Sequence, residues 1–304
     1  MADERAPVVV LLAALLVAGL VAVLAAERAT GARTGSSQLF VRWRTWAVIT
    51  PLAVAAAWTL ASTVVFVALL AAQGAREHAL LVGMTPVARR LLIVAAAATA
   101  PIVVAADVTV ATVAVALLLA VAATAVVRAD PDAGLRDLSG ALFGWAWIAL
   151  LLGNVVILRG HDLGGFTLVV ALFAGVAVSD IGAFAVGSTV GRRYGSRPLS
   201  SLSPNKTRAG VAGNVIGAAV GVGAVASVAP LGLPLWAVAT LPLLIAVGGV
   251  VGDLLESLLK RASGSKDAGA WLPGFGGLLD RIDSLVVAAP LLAGLVAALD
   301  LWLL

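Results

Sequence analysis

The sequence predicts an all-α fold, a polytopic bundle of nine or ten transmembrane helices. Of its 304 residues, 62% are hydrophobic and 12% charged, and the mean hydropathy is +1.09. Soluble domains are about a quarter charged, so this chain has too little polar surface to coat a globule in water. The apolar runs are long, rich in Ala, Val and Leu, and lack alternation, which points to helices rather than strands. In lipid each segment must satisfy its own backbone, and a helix does so. Basic residues fall in short loops between the runs, the pattern of cytoplasmic loops. The net charge of +4 and pI near 10.3 therefore reflect membrane orientation, and no nucleic-acid partner is expected.

The first run, 7–26, ends at Leu24-Ala25-Ala26 in the manner of a signal peptide. However, Asp3, Glu4 and Arg5 do not make a basic n-region, and the run is long for an h-region, so a retained helix is expected. Stretch 46–72 is long for one helix and short for two, with a break expected around 59–63. Loops 27–45 (Arg28, Arg33, Arg42, Arg44) and 73–90 (Arg76, Arg89, Arg90) are both basic. Two cytoplasmic flanks require 46–72 to enter and return as a tight hairpin. Further spans are expected at 91–106, 108–127, 139–158, 166–187, 209–228, 234–252 and 284–304. The short turns near Asp107, 159–165 and 230–233 then lie outside, with both termini, in a bacterial-type inner membrane. The chain divides into N-terminal helices, 1–127, and a catalytic region, 128–304, carrying cytoplasmic loops 188–208 and 253–283. Gly213, Gly217 and Gly221 stand four apart on one helix, a spacing that suits close packing within the chain or, alternatively, a dimer contact.

Polar residues concentrate in those two loops. The last holds five of the 16 acidic residues (Asp253, Glu256, Asp267, Asp280, Asp283) together with Lys260, Arg261, Lys266 and Arg281. Asp253, Glu256, Ser257 and Lys260 form one helical stripe at i, i+3, i+4 and i+7, and Asp280 and Asp283 are again three apart. Between them lies Leu272-Pro-Gly-Phe-Gly-Gly277, whose glycines let backbone N–H groups approach an anion. Carboxylates flanking such a loop can hold Mg²⁺ with substrate phosphates, and the cations can hold the phosphates themselves. The plainer alternative is that the acids complement a helix dipole and the mixed charges pair in solvent. Asp180 lies within or beside an apolar segment, where an ionisable group is costly; pairing with Arg192 or Arg193 at the interface is its plainer role. All three lysines, Lys206, Lys260 and Lys266, fall in these loops. The absence of cysteine excludes disulfides and thiol chemistry. His78 and His161 lie outside both loops and are expected to be incidental.

The run Ser257-Leu-Leu-Lys-Arg261, four residues, Lys266-Asp267, then Leu272-Pro-Gly-Phe-Gly-Gly-Leu-Leu-Asp-Arg-Ile-Asp283 resembles the signature of the phosphatidate cytidylyltransferase (CDP-diacylglycerol synthase) family. Gly252-Asp253-Leu-Leu-Glu256, Ser179-Asp-Ile-Gly-Ala-Phe184 and Ser203-Pro-Asn-Lys-Thr207 are similar to the family in the same order, and Gln73-Gly-Ala-Arg-Glu77 more weakly so. The resemblance covers about 179–290; the N-terminal half matches in layout. It implies a Mg²⁺-dependent membrane enzyme, often a homodimer, that joins CTP to phosphatidate at the cytoplasmic surface among membrane lipids. It implies Asp253 and Asp280 as principal metal ligands with Asp283 close by. It further implies catalytic roles for Lys266, Asp267 and Asp180. The same resemblance gives substrate-binding roles to Ser203, Lys206, Thr207, Ser257, Lys260, Arg261, Gly274, Gly276, Gly277 and Arg281. Two positions depart: the family usually has His where this chain has Phe275, and Glu where it has Ala209. Transfer of CMP to a different lipid phosphate is the competing enzymatic reading. A silent scaffold or a transporter is the other, although a transporter would carry its ionisable groups near the midplane.

Overall fold

A computed structural model describes residues 5–30, 35, 37–105, 110–162, 164–191, 193–204, 206–265, 269 and 277–303. Its elements are α1 (Arg5–Thr30), α2 (Gln38–Trp58), α3 (Leu60–Leu81), α4 (Pro86–Val104), α5 (Val110–Arg128), α6 (Pro131–Gly144), α7 (Leu151–Gly160), α8 (Gly165–Val186), α9 (Arg208–Ala226), α10 (Leu235–Ala262) and α11 (Leu279–Leu303). A π-helical turn, Trp145–Leu150, joins α6 to α7, and a second, Gly187–Gly191, extends α8. Among the described residues nine helices are long and apolar enough to cross a membrane, and no strand is present. The chain is a multi-pass membrane protein.

The ambiguous stretch resolves into two helices that break at Thr59, within the expected interval. Thr59 Oγ1 accepts from Ser62 N–H and Ser62 Oγ accepts from Thr59 N–H, a capping box that starts α3 as α2 ends. Both helices are longer than the hydropathy pattern suggests. α2 begins at Gln38 and α3 runs to Leu81, so most of the expected loops 27–45 and 73–90 is helical. α6 likewise starts at Pro131, with Asp130 accepting from Ala133 N–H as its cap. At 1.5 Å per residue the 28 residues of α10 span about 42 Å, well beyond a ~30 Å hydrocarbon core. Its last turns therefore project past the apolar layer, and the last connection narrows to 263–278.

Contacts at the helix ends define two faces. Arg5 lies over the Trp58 and Phe166 rings at 5.0 and 5.9 Å, His161 Nε2 meets Asp300 at 3.2 Å, and Thr167 Oγ1 donates to the Pro230 carbonyl at 2.9 Å. On the opposite face Thr85 donates to Asp137, Glu77 reaches the start of α11, and Lys206 pairs with Asp253. Among the described Lys and Arg residues, only Arg5 and Arg159 lie on the first face. His78 is buried and its Nε2 contacts the Gly140 carbonyl at 3.0 Å, tying α3 to α6.

Glycine sets how closely the C-terminal helices approach. A Cβ on Gly213 would lie 2.3 Å from the Gly182 carbonyl oxygen, and one on Gly217 would lie 2.3 Å from that of Val178. One on Gly221 would lie 2.5 Å from that of Ala174. The glycine stripe is thus used within the chain, against α8. Gly248 and Gly252 do the same between α10 and α11, where added Cβ atoms would lie 2.5 Å from Ala288 Cα and 2.1 Å from the Asp283 carbonyl oxygen.

Candidate active site

Four helix ends and one hairpin meet on the basic face. Gly252 lets α10 touch the backbone of α11 at Asp283, so the next residue, Asp253, and Glu256 one turn on face the Asp283 side chain. Carboxylate oxygens of Asp253, Glu256 and Asp283 all lie within 4.8 Å of one another. Glu256 is 2% exposed and Asp283 4%. Lys206 arrives from the other chain segment and forms an ion pair with Asp253. The hairpin that carries it closes through Leu199 N–H to the Lys206 carbonyl at 2.7 Å, Lys206 N–H to the Ser203 carbonyl at 3.1 Å and Arg208 N–H to the Arg197 carbonyl at 3.2 Å. Thr207 Oγ1 accepts from Gly210 N–H at 3.0 Å and caps α9, with Gly187 and Gly191 packed over it. Thr207 therefore fixes the direction from which Lys206 approaches.

Lys260 Nζ donates to Glu256 at 2.7 Å and to Asp280 at 2.8 Å, bridging α10 and α11. Asp280 also accepts from Gly277 N–H at 2.8 Å. Asp180, on the exposed side of α8, lies within electrostatic reach of Asp283, Lys206 and Arg281. Burial pushes the Lys206 ammonium below the ordinary lysine range; Asp283, Asp180 and Glu256 pull it the other way, and Lys260 adds to the depression. A half-buried, compact ammonium among carboxylates suits exchange of one anionic partner for another, such as a phosphate.

The structure thus brings together Asp180, Lys206, Asp253, Lys260, Asp280 and Asp283, from loops about 70 residues apart. Ser257 is half-buried on α10, Ser203 sits in the hairpin turn, and Arg261 and Arg281 are exposed beside the cluster. Lys266, Asp267, Gly274, Phe275 and Gly276 lie outside the described residues, as do Asp107 and Arg192. Ala209, the other departure, donates its N–H to Ser196 Oγ at 3.1 Å at the start of α9.

Two acids gain roles here that sequence spacing did not assign. Glu256 was placed on the right stripe by its i+3 relation to Asp253, but nothing in the pattern distinguished it as a ligand. Among the described residues its buried Oε1 accepts no hydrogen bond, while Oε2 holds Lys260. Glu77 accepts from the N–H groups of Leu278 and Leu279 at the start of α11. A carboxylate oxygen with no hydrogen bond and three carboxylate oxygens within 4.8 Å of one another fit Mg²⁺, which takes one or two carboxylates plus waters and phosphate oxygens.

The model of the cytidylyltransferase family matches residues 40–299, which include every element of this cluster. A phosphatidate cytidylyltransferase of Brucella suis is 45% identical over 141 residues, covering 46% of this chain and 50% of that protein. Its counterpart in Synechocystis is 41% identical over 134 residues, 42% of each chain. That of Bacillus subtilis is 36% identical over 151 residues, 50% of this chain and 55% of the relative. The matches span about half the length of the curated relatives.

Proposed function

The chain belongs to the cytidylyltransferase family, and from that membership we propose that it transfers CMP from CTP to phosphatidate, giving CDP-diacylglycerol and pyrophosphate. The observation that carries this reading is the convergence of Asp253, Glu256 and Asp283 with Lys206 and Lys260 at one end of a membrane bundle. That end faces the cytoplasm of a bacterial-type inner membrane in this reading, supported by the gathering of Lys and Arg on the same face.

The nucleophile is an oxygen of the lipid's own phosphate. It forms a bond to the α-phosphorus of CTP as the bond to the bridging oxygen of the β-phosphate breaks, and pyrophosphate leaves with the electron pair. No side-chain nucleophile is needed, so the protein contributes positioning and charge. Lys206 and Lys260, with Arg261 and Arg281 near them and Lys266 as the resemblance implies, offset the repulsion between two polyanions and hold their oxygens. Asp253, Glu256 and Asp283 would hold Mg²⁺; Asp280, which the resemblance implies as a principal ligand, stands outside that trio and holds Lys260 and the Gly277 N–H instead. The ion, when bound, neutralises charge on the phosphoryl oxygens. Asp180 and Asp267 orient the neighbouring cations, and glycines 274 and 276 would admit phosphate oxygens to backbone N–H groups, while the Gly277 N–H is held by Asp280. Ser203, Thr207 and Ser257 shape and supplement the phosphate subsite. A homodimer is the assembly the family suggests, and its contact does not use the Gly213–Gly217–Gly221 stripe, which α8 occupies.

Purified protein is to be assayed with labelled CTP, Mg²⁺ and a panel of lipid phosphates, scoring CDP-lipid and pyrophosphate together. Equimolar products from phosphatidate, abolished by chelation, are expected. Product from another lipid phosphate alone would reassign the acceptor, a meaningful arm because Phe275 and Ala209 replace a donor and a carboxylate. CTP binding without any product would overturn the enzymatic reading.

A further inference from the structure

We propose that Glu77, on α3, is a positioning residue: its buried carboxylate caps the start of α11 and so fixes where Asp280 and Asp283 stand. The catalytic consequence rests on the cytidylyltransferase reading; the positioning itself does not.

The first turn of a helix has N–H groups without intrahelical partners, and they need an acceptor. At the start of α11 the chain has Leu278 and Leu279, neither of which offers one. Glu77, 201 residues earlier than Leu278, supplies both. Its Oε1 accepts from Leu278 N–H at 3.0 Å and its Oε2 from Leu279 N–H at 2.8 Å. Gln73, one turn back on α3, donates from Nε2 to Oε1 at 2.9 Å and holds the carboxylate in register. The residue is 2% exposed. Two glycines close over it: a Cβ on Gly277 would sit 2.6 Å from Oε2, and one on Gly269 would sit 3.1 Å from the carboxyl carbon. A carboxylate is also the favoured charge at a helix N-terminus.

What this cap touches is the connection between the two acidic helices. Gly277 N–H binds Asp280, Asp280 binds Lys260, and Asp283 follows within the first turns of α11. A helix is stiff, so a shift at Leu278 and Leu279 moves Asp280 and Asp283 with it. Among the described residues Glu77 hydrogen-bonds to Gln73 and to the backbone of Leu278 and Leu279, so it acts through the backbone.

The decisive variant is Glu77→Gln, which keeps the volume but turns one acceptor oxygen into an NH₂ group facing a backbone N–H. Three readouts are taken on the full-length purified protein: amide exchange over 277–283, the Mg²⁺ concentration giving half-maximal thermal stabilisation, and turnover with CTP and phosphatidate. Faster exchange, a Mg²⁺ midpoint raised about 10- to 100-fold and turnover lowered on the order of 10²-fold are expected. Glu77→Asp, which retains both oxygens, should recover part of each loss. A lowered melting temperature with unchanged Mg²⁺ midpoint and turnover would mean a merely structural cap and overturn the proposal. If Glu77→Gln does not fold, Gln73→Leu removes only the donor to Oε1, and an unchanged Mg²⁺ midpoint in that folded variant overturns the proposal equally. A wild type without CTP-dependent product, but with a Mg²⁺ midpoint that Glu77→Gln still shifts, would refute the enzymatic reading and support the positioning role.

Discussion

Gly252→Ala tests whether the approach of α10 to α11 sets the catalytic geometry. The added Cβ would lie 2.1 Å from the Asp283 carbonyl oxygen and 2.6 Å from its carbonyl carbon. Both are backbone atoms in the first turns of α11, so no side chain can swing aside. Reaching the 3.4 Å at which ordinary contact begins takes a displacement of about 1.3 Å along that line, and the helices have to separate. Overpacking of this kind costs about 1–3 kcal/mol, while replacing a mid-helix glycine by alanine returns about 0.8–1 kcal/mol. The net loss of stability is therefore at most about 2 kcal/mol, and the variant should fold. The catalytic loss is larger, because Asp253 adjoins the clash and Asp283 carries it. A misplacement of about 1 Å commonly lowers turnover on the order of 10²-fold, equivalent to about 2.7 kcal/mol in the barrier. Melting temperature and CDP-lipid formation are to be measured on the same preparation. Gly223→Ala, with no atom within 4 Å of its Cβ, is the control: it should gain up to about 1 kcal/mol at unchanged turnover. A folded Gly252→Ala protein with wild-type turnover would refute the argument that this contact positions the carboxylates.

Further outcomes follow from the same geometry. Asp283→Asn removes one of three mutually close carboxylates; the variant should melt higher than wild type without Mg²⁺ and lose the stabilisation that Mg²⁺ gives wild type, which a Mg²⁺ series of melting curves checks. Because the chain lacks cysteine, single exposed cysteines report sidedness on a silent background. Ser201→Cys and Ser263→Cys should react only with reagents that reach the cytoplasm, and Asp162→Cys only from outside. Asp162 is the better outer probe than Gly164, whose φ of +74° and close contacts to Thr167 and Leu231 strain any substitution.

Much of this was legible in the sequence because hydropathy and charge act locally. The spans, their all-helical character and a break near Thr59 follow from run length; the capping box that makes the break is seen only in the structure. The small-residue spacing of Gly213, Gly217 and Gly221 foretold a close helix contact and left its partner open; that partner is α8. Helix ends were less visible, because an amphipathic turn beyond the bilayer carries no hydropathy signal. Asp137 is buried where it binds Thr85 N–H and Oγ1, yet in sequence it sits in an ordinary polar stretch. Glu77 was hidden for a stronger reason. Its partners are backbone N–H groups two hundred residues away, and no side-chain pattern encodes a backbone acceptor need.

The cluster also shows why the structure keeps these acids at the end of the bundle rather than within it. Two charged carboxylates no more than 4.8 Å apart repel by on the order of 3 kcal/mol or more at an effective dielectric constant of about 20. Five acids, Asp180, Asp253, Glu256, Asp280 and Asp283, share the space with Lys206, Lys260 and Arg281. Packing apolar residues in their place would stabilise the fold, so the arrangement is strained by design of the chain. The lysines relieve it in part, Lys206 through Asp253 and Lys260 through Glu256 and Asp280. A divalent cation, as proposed for this site, would relieve more of it and leave those ammonium groups for phosphates. Depth then matters: ionisable groups cost more the further they lie within an apolar span. The extra turns of α10 carry Glu256 and Lys260 toward the basic end of the bundle.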